Sequence, residues 1–377
     1  MVLLPLLMMA QTGKKKISLK DTLDGKLDLS RYIIEANGFV PVPIIVTDKA
    51  LGGFGGGLAP LFIKKNAPYL DSIDGKLVRT PVAPDVTGGA FMYTLNDSWL
   101  GAVFRSGVLV KQRIKYTVGF GYMNMNMSFY RKDHKGDEAE FKFNFKGFGG
   151  SVQATKRLGF SNWYAGMKYQ LMSMKVNYVG TSLPIPPELN KPHEYNSTMA
   201  ALGAIIELDS RDNIFTPNKG IKAHFDANRS DNIFGSDYEY WRLNYYGYMY
   251  AKLGRHIVGG WRLDGQQAIG DAPFYLLPYI DMRGIPAARY QGKADILTEF
   301  EGRFDITSRW SLMAFTGLGK AFNNWNDFGS ADWVYSYGTG FRYYMAREFK
   351  LRMGLDIAKG PPGCWGYYIV VGTNWMK

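Results

Sequence analysis

Alternation of apolar and polar residues, with almost no slippage, runs through the last third of this chain and limits what it can fold into. From Phe349 to Ala358 the odd positions are Phe349, Leu351, Met353, Leu355 and Ile357, and the even ones are Lys350, Arg352, Gly354, Asp356 and Ala358. A period of two residues marks a strand whose faces meet different surroundings. From Asp295 to Ile306 the same rule sets Ile296, Phe300, Phe304 and Ile306 against Asp295, Glu299, Glu301, Arg303 and Asp305. A water-soluble sandwich buries its apolar face and scatters polar groups outside. A transmembrane barrel turns the apolar face to lipid and crowds charge into its lumen, which is the pattern seen.

Composition agrees with the second arrangement. The 377 residues include 44 Gly, 25 Tyr, 23 Phe and 9 Trp, suited to aromatic girdles at two membrane interfaces and to strands that must bend. No stretch of 18 or more uncharged apolar residues occurs, which excludes a helical span. The net charge of +12 is spread through strands and turns without a compact basic tract, so nucleic acid is not expected as a partner. Outer-membrane lipids and lipopolysaccharide account for the excess more simply, with other outer-membrane or periplasmic proteins as further partners. The single cysteine, Cys364, excludes an internal disulfide and a cysteine-cluster metal site. No metal and no cofactor are expected.

Residues 1–10 read as the remnant of a signal peptide, although no Lys or Arg precedes the apolar run. Residues 11–49 read as a periplasmic or plug segment. In it Asp28 caps a short helix through Ile33, Ile34 and Ala36 that ends at Gly38, and Pro41 and Pro43 force an extended path. Residues 50–377 read as an antiparallel transmembrane β-barrel. About fifteen strand-like runs are visible, beginning near Gly55, Thr87, Trp99, Arg113, Glu138, Asn162, Thr198, Gly220, Tyr238, His256, Asp295, Arg309, Trp333, Phe349 and Trp365. Closed bacterial barrels have even strand numbers, so sixteen is expected, with fourteen or twelve as alternatives. Phe141, Phe143 and Phe145 oppose Glu140, Lys142, Asn144 and Lys146, and on the alternation rule their rings belong to the lipid face.

Between two runs, residues 208–220 pack a charged cluster, a proline and a turn glycine. A self-bonded hairpin turn explains this by itself. The run also resembles the Asp-x-Arg-Asp-x-x-x-x-Pro-x-x-Gly turn of the bacterial surface-antigen barrels, with Asp209, Arg211, Asp212, Pro217 and Gly220 on its fixed positions. These are the membrane domains of BamA- and TamA-type assembly factors and of two-partner secretion translocators. Asp281-Met282-Arg283-Gly284-Ile285 is similar to the family's Val-Arg-Gly-Phe/Tyr motif, and Glu301-Gly302-Arg303-Phe304 to the Glu-Tyr-Arg-Phe of the following strand. The resemblance covers roughly residues 201–377. It implies that Arg283 and Gly284 lie at the tip of a long loop folded back into the lumen, a loop that otherwise reads as merely solvated. Where the family carries an aspartate to pair that arginine, this chain has Gly317. A buried guanidinium without a partner is costly, so Glu299 or Glu301 should take the role.

The family's assembly factors and translocators carry POTRA domains ahead of the barrel, and residues 12–49 are too short to make one, so the chain looks like a minimal, barrel-only branch residing in the bacterial outer membrane. It would act in membrane biogenesis or in protein or lipid insertion and transport, through a seam between a first strand at Gly55, Gly56 and Gly57 and a last one ending at Trp375. The glycine run reads equally well as a tight bend at the barrel's entry. A passive channel or a structural subunit of a larger complex is the alternative function. Catalysis is not expected: His134 and His193 lie in turn-like stretches, and His224 and His256 have no serine partner in sequence. His224 beside Asp226 reads as an ordinary lumen hydrogen bond.

Overall fold

A computed structural model describes residues 19–35, 38–51, 53–73, 76–80, 82–132, 138–180, 185–187, 189–190 and 194–375. The apolar run at residues 1–10, Gly52, His134 and His193 lie outside these. In chain order, a helix α1 (Ser30–Glu35) precedes strands β1 (Phe39–Val46) and β2 (Gly55–Lys64), then a small hairpin of β3 (Tyr69–Ile73) and β4 (Lys76–Thr80). There follow β5 (Asp85–Thr94), β6 (Trp99–Leu109), β7 (Ile114–Lys132), β8 (Glu138–Arg157), β9 (Trp163–Tyr178), β10 (Asn196–Asp209), β11 (Gly220–Ser230) and β12 (Tyr240–Lys252). The last are β13 (Ile257–Gly270), β14 (Ala294–Asp305), β15 (Trp310–Phe322), β16 (Val334–Ala346), β17 (Leu351–Lys359) and β18 (Trp365–Val371). All but β3 and β4 join one antiparallel sheet of 16 strands in which each pairs with the next. The sheet curls into a nearly closed barrel.

Every one of the fifteen runs read from sequence begins within about two residues of an observed strand. The sixteenth strand is β1, so the barrel begins at Phe39 and not at residue 50. Pro41 and Pro43 concealed it, and the ladder shows how they are tolerated. Ile63 donates its N–H to the Gly38 carbonyl at 2.8 Å, and Phe39 stands opposite Phe62. Even-numbered residues of β1 therefore bond β2, and odd-numbered ones turn their backbone groups to the other side. Both prolines are odd, so neither removes a bond from the β1–β2 ladder.

Along the C-terminal strands the facing follows the alternation. Phe300, Phe304 and Ile306 are exposed on the outside, while Asp295 and Glu299 are buried inside. On β7 to β9 the parity persists but the chemistry inverts. Phe141, Phe143 and Phe145 are buried inside the barrel and Lys142 and Lys146 point out, which corrects the expected lipid-facing phenylalanines. Strand length explains it. These strands run 19, 20 and 16 residues, longer than a bilayer needs. Ladder rows locate the change: Tyr122–Phe148–Ser173 ends the apolar outer band, and Asn124–Lys146–Lys175 starts the polar one. Lys146 and Lys156 bracket the band on β8, and ten positions at ~3.3 Å rise with a tilt of ~40° span ~25 Å, the height of a barrel's lipid-facing belt. Above that belt water wets the outside, so the inside becomes the core. Met125, Phe129, Phe141, Phe143, Phe145, Met174 and Phe274 pack there.

The mouth above this core, where the β13–β14 loop lies, is the upper mouth. α1 and the β14–β15 turn lie at the lower one.

Candidate functional site

The β13–β14 loop (residues 271–293) leaves the upper mouth and folds into the lumen. Apolar side chains carry it inward: Phe274 enters the phenylalanine core, and Ile280, Met282 and Ile285 pack on Leu297, Val334 and Cys364. Polar bonds pin it on several sides. The Phe274 N–H donates to Glu194 at 2.9 Å, the Ala287 N–H to Asp48 at 2.9 Å, and the Arg289 guanidinium to Glu138 at 2.6 Å.

At its tip Arg283 is buried, with 2% of its surface exposed. Its Nη1 lies 2.9 Å from Asp356 Oδ2 on β17 and 2.9 Å from Glu301 Oε2 on β14, and its Nε 3.8 Å from Glu299 Oε1. The guanidinium stacks 3.5 Å over the Phe315 ring. Ser336 donates its hydroxyl to the Arg283 carbonyl, and Gly284 gives its N–H to the Tyr368 hydroxyl at 2.7 Å. Gly284 has φ +85°, and a Cβ there would sit 3.1 Å from Ala358, so glycine is required. The acids are held in turn: Arg342 grips Asp356 at 2.6 and 2.9 Å, and Arg262 bonds Glu299 at 2.5 Å and Asp264 at 2.7 Å. Three guanidiniums thus interleave with four carboxylates across β13, β14, β16 and β17. Such a lattice fixes the loop to the wall.

Glu301 and Glu299 both lie around Arg283. Asp356 was missed, although it lies on the polar parity of its strand. Position 317 itself has no room for an acid. A Cβ on Gly317 would meet Glu299 Cγ at 2.7 Å and Met282 Sδ at 2.9 Å, so those side chains occupy the space an aspartate would need.

The turn at residues 208–220 bonds itself. Asp209 takes both Nε and Nη2 of Arg211 at 2.9 Å, Asp212 accepts the Asn218 N–H at 2.9 Å, and Gly220 adopts φ +108°. Pro217 sits beside Tyr250 and Gly372 around a small cavity. The turn also reaches inward: Arg303 bonds Asn218, and the Arg352 N–H donates to Thr216 Oγ1 at 3.3 Å. Hairpin capping and contact with the last strands coexist.

Between β1 and β18 no ladder forms among the described residues. The odd-numbered edge positions of β1 face this gap, and with proline at 41 and 43 two of their four donors, those of Phe39, Pro41, Pro43 and Ile45, are missing. Thr47 Oγ1 donates across it to the Tyr367 carbonyl at 2.5 Å. β18 is short, and at Gly372 (φ +83°) the chain turns away from the wall. Trp375 consequently lies inside, 1% exposed, with Nε1 donating to Glu299 at 3.1 Å. The expected seam residues are thereby corrected. Trp375 belongs to the lumen, and Gly55, Gly56 and Gly57 belong to β2, one strand in from the gap. A Cβ on Gly57 would meet the Phe91 carbonyl at 2.0 Å, so close approach of β5 accounts for that glycine.

The profile of the Omp85 superfamily domain matches residues 104–275. Over that stretch the chain is similar to the Omp85 superfamily domain. Its fold is similar to that of BamA from Haemophilus ducreyi lacking POTRA domains 1–3, at a TM-score of 0.57 and 14% identity over 88% of this chain and 69% of that one. It is also similar to CdiB from Escherichia coli, at 0.57 and 9% over 88% and 62%, and to CdiB from Acinetobacter baumannii, at 0.52 and 10% over 88% and 59%. The chain therefore spans less than two thirds of the length of the two CdiB structures. No curated protein matches it.

A second charged cluster in this barrel was not foreseen. At the lower mouth Arg309 is fully buried, with Nε 2.7 Å from Asp24, Nη1 2.6 Å from Asp28 and Nη2 bonded to Asp21. Arg347 lies 3.2 Å from both Asp21 and Asp24. α1 follows, with Asp28 accepting the Ser30 N–H at 2.7 Å, and Ile33 packs against Val40, Ile63, Ala346, Phe349 and Leu351. The Arg309 hydrogen bond holds the Asp24 carboxyl well below the usual carboxylate range. Burial works to raise Asp28, and hydrogen bonds from Ser30 and Arg309 overcome it, so it too lies below its ordinary 3.8. The Asp-x-x-Asp-Gly-x-x-Asp spacing at residues 21–28 was the available signal.

His224 is in the lumen, Nε2 2.9 Å from Asp226 and Nδ1 3.5 Å from Glu207, its ring stacked 4.6 Å from Tyr246. Those contacts are the ordinary lumen hydrogen bonding expected of it. His256 lies in the β12–β13 turn with its ring 6.5 Å from Phe304.

Proposed function

We propose that this chain resides in the bacterial outer membrane and handles other polypeptides, in outer-membrane protein assembly or in secretion, at the gap between β1 and β18. The observation that carries this is the unladdered edge whose donors are thinned by Pro41 and Pro43. An edge strand with free backbone groups can pair with an incoming strand, and the two prolines keep β1 from closing tightly on β18 across the gap. The mouth carrying α1 faces the periplasm and the mouth with the folded-in loop faces outward. The match of residues 104–275 to the Omp85 superfamily domain supports the reading, and the charged lattice around Arg283 holds the wall rigid while the gap moves. The work is non-enzymatic on this reading, and its partners are client polypeptides and surrounding lipid.

Passive conduction is disfavoured by the loop that crosses the lumen from the phenylalanine core to Asp356. Conditional depletion of the protein, followed by an inventory of outer-membrane proteins, secreted proteins and lipopolysaccharide, tests the proposal. Loss of a defined set of proteins supports it. An unchanged inventory with altered permeability to small solutes contradicts it.

A further inference from the structure

The outer surface of β8 and β9 carries a second feature that lies away from the gap. Lys146 and Lys175 are direct partners across the β8–β9 ladder, and Lys142 stands on the same face of β8 four residues above Lys146. All three are exposed, and neither Lys146 nor Lys175 makes an ion pair among the described residues. Lys142 lies 3.9 Å from Glu140, both well exposed. Like charges directly opposed on a ladder destabilise it, so a pair of lysines placed there calls for an anion between them. Immediately below them the outer surface turns apolar, with Tyr122 and Phe148 side by side in the next row. A free anion has no use for such a shelf, whereas acyl chains do.

We propose that Lys146, Lys175 and Lys142 form a binding site for a phosphorylated lipid headgroup. The phosphate sits between the ammonium groups and the acyl chains run down over Tyr122 and Phe148. Ammonium groups serve a phosphate as point charges, without the geometric demand of a guanidinium. Each lysine at an anionic lipid surface contributes about a five-fold preference. The site rests on the transmembrane placement of the barrel and not on any opening of the gap. It lies at the upper edge of the belt, in the leaflet on the side of the folded-in loop. Lys156 marks the opposite edge on the same strand and has no such ladder partner, being paired with Ile114 and Ala165.

The test uses the full chain in phosphatidylcholine nanodiscs containing a small fraction of lipid A, and native mass spectrometry of the released protein. Three arms compare bis-phosphorylated lipid A, the same lipid after phosphatase treatment, and inorganic phosphate. The wild type should retain the phosphorylated lipid at least about ten-fold over its dephosphorylated form and bind no inorganic phosphate. K146Q/K175Q should abolish that preference and K156Q should keep it, each variant first shown to be folded by its heat-modifiable gel migration. Equal retention of phosphorylated and dephosphorylated lipid by the wild type overturns the proposal without recourse to any variant. So does an unchanged preference in K146Q/K175Q, or binding of inorganic phosphate as strong as that of the lipid.

Discussion

Arg283 Nη1 lies 2.9 Å from Asp356 Oδ2, joining the tip of the β13–β14 loop to a strand 73 positions further along the chain. Asp356 is fully buried and is also gripped by Arg342, so the loop is fastened to the wall that leads directly to β18. The contact couples the filling of the lumen to the strand beside the gap.

Breaking it should be expensive. R283A leaves Asp356 and Glu301 short of a cation, and D356N leaves two buried guanidiniums short of an anion. Each is expected to cost about 3–5 kcal/mol. The double variant should lose less than the sum, because both changes damage one network. The temperature at which the folded gel band converts to the unfolded one measures this, and additive losses would show that the two residues do not act together.

Restoring the family's aspartate at position 317 should not help. G317D drives a side chain into Glu299 and Met282, an overpacking cost of about 1–3 kcal/mol, and adds an acid to a site that already has four. G317D/E299A should recover part of the loss in the same gel assay. A G317D barrel more heat-resistant than the wild type would refute this account of the departure.

The inversion on β8 makes a paired prediction. F143A empties a buried site and should cost about 3–5 kcal/mol, whereas K142A on the outside should stay within about 0.5 kcal/mol. Urea titration of the barrel folded into liposomes reads both. Were Phe143 lipid-facing, F143A would be the milder change.

Acid should release the lower mouth. Asp24 and Asp28 have folded-state values below their ordinary 3.8, so their contribution is complete above about pH 5 and falls as pH drops past 3.8. It is gone below the depressed folded values. Hydrogen-exchange protection over residues 19–33, taken relative to the unfolded-peptide rate at each pH, should therefore fall between about pH 4 and pH 2 while the strands remain protected, and R309A should show the low protection already at pH 7. Protection in that segment that does not change with pH would mean that the Arg309 contacts do not hold it.

Period-2 alternation made the barrel legible, because a lipid-facing strand must separate apolar from charged residues at every step. The same rule misplaced Phe141, Phe143 and Phe145, since alternation reports only that two faces differ and not which is wet. Strand β1 was hidden because proline argues against a strand unless its nitrogen faces an open edge, and that edge exists only once the sheet has curled. Glu301 could be found beside Arg283 through its nearness along the chain. Asp356 and the Asp21–Asp24–Asp28 clasp on Arg309 could not, because sequence separations of 73 and about 285 residues are closed by topology alone.

On the proposed function the chain works through the gap between β1 and β18. Thr47 and Tyr367 already touch across it, and the native Cys364 can be replaced by serine so that T47C/Y367C carries the only two thiols. Cells depending on this variant should lose the affected outer-membrane or secreted proteins under oxidising conditions and regain them when a reductant opens the disulfide. Full activity with the disulfide shown to be formed quantitatively would rule out a working role for the gap.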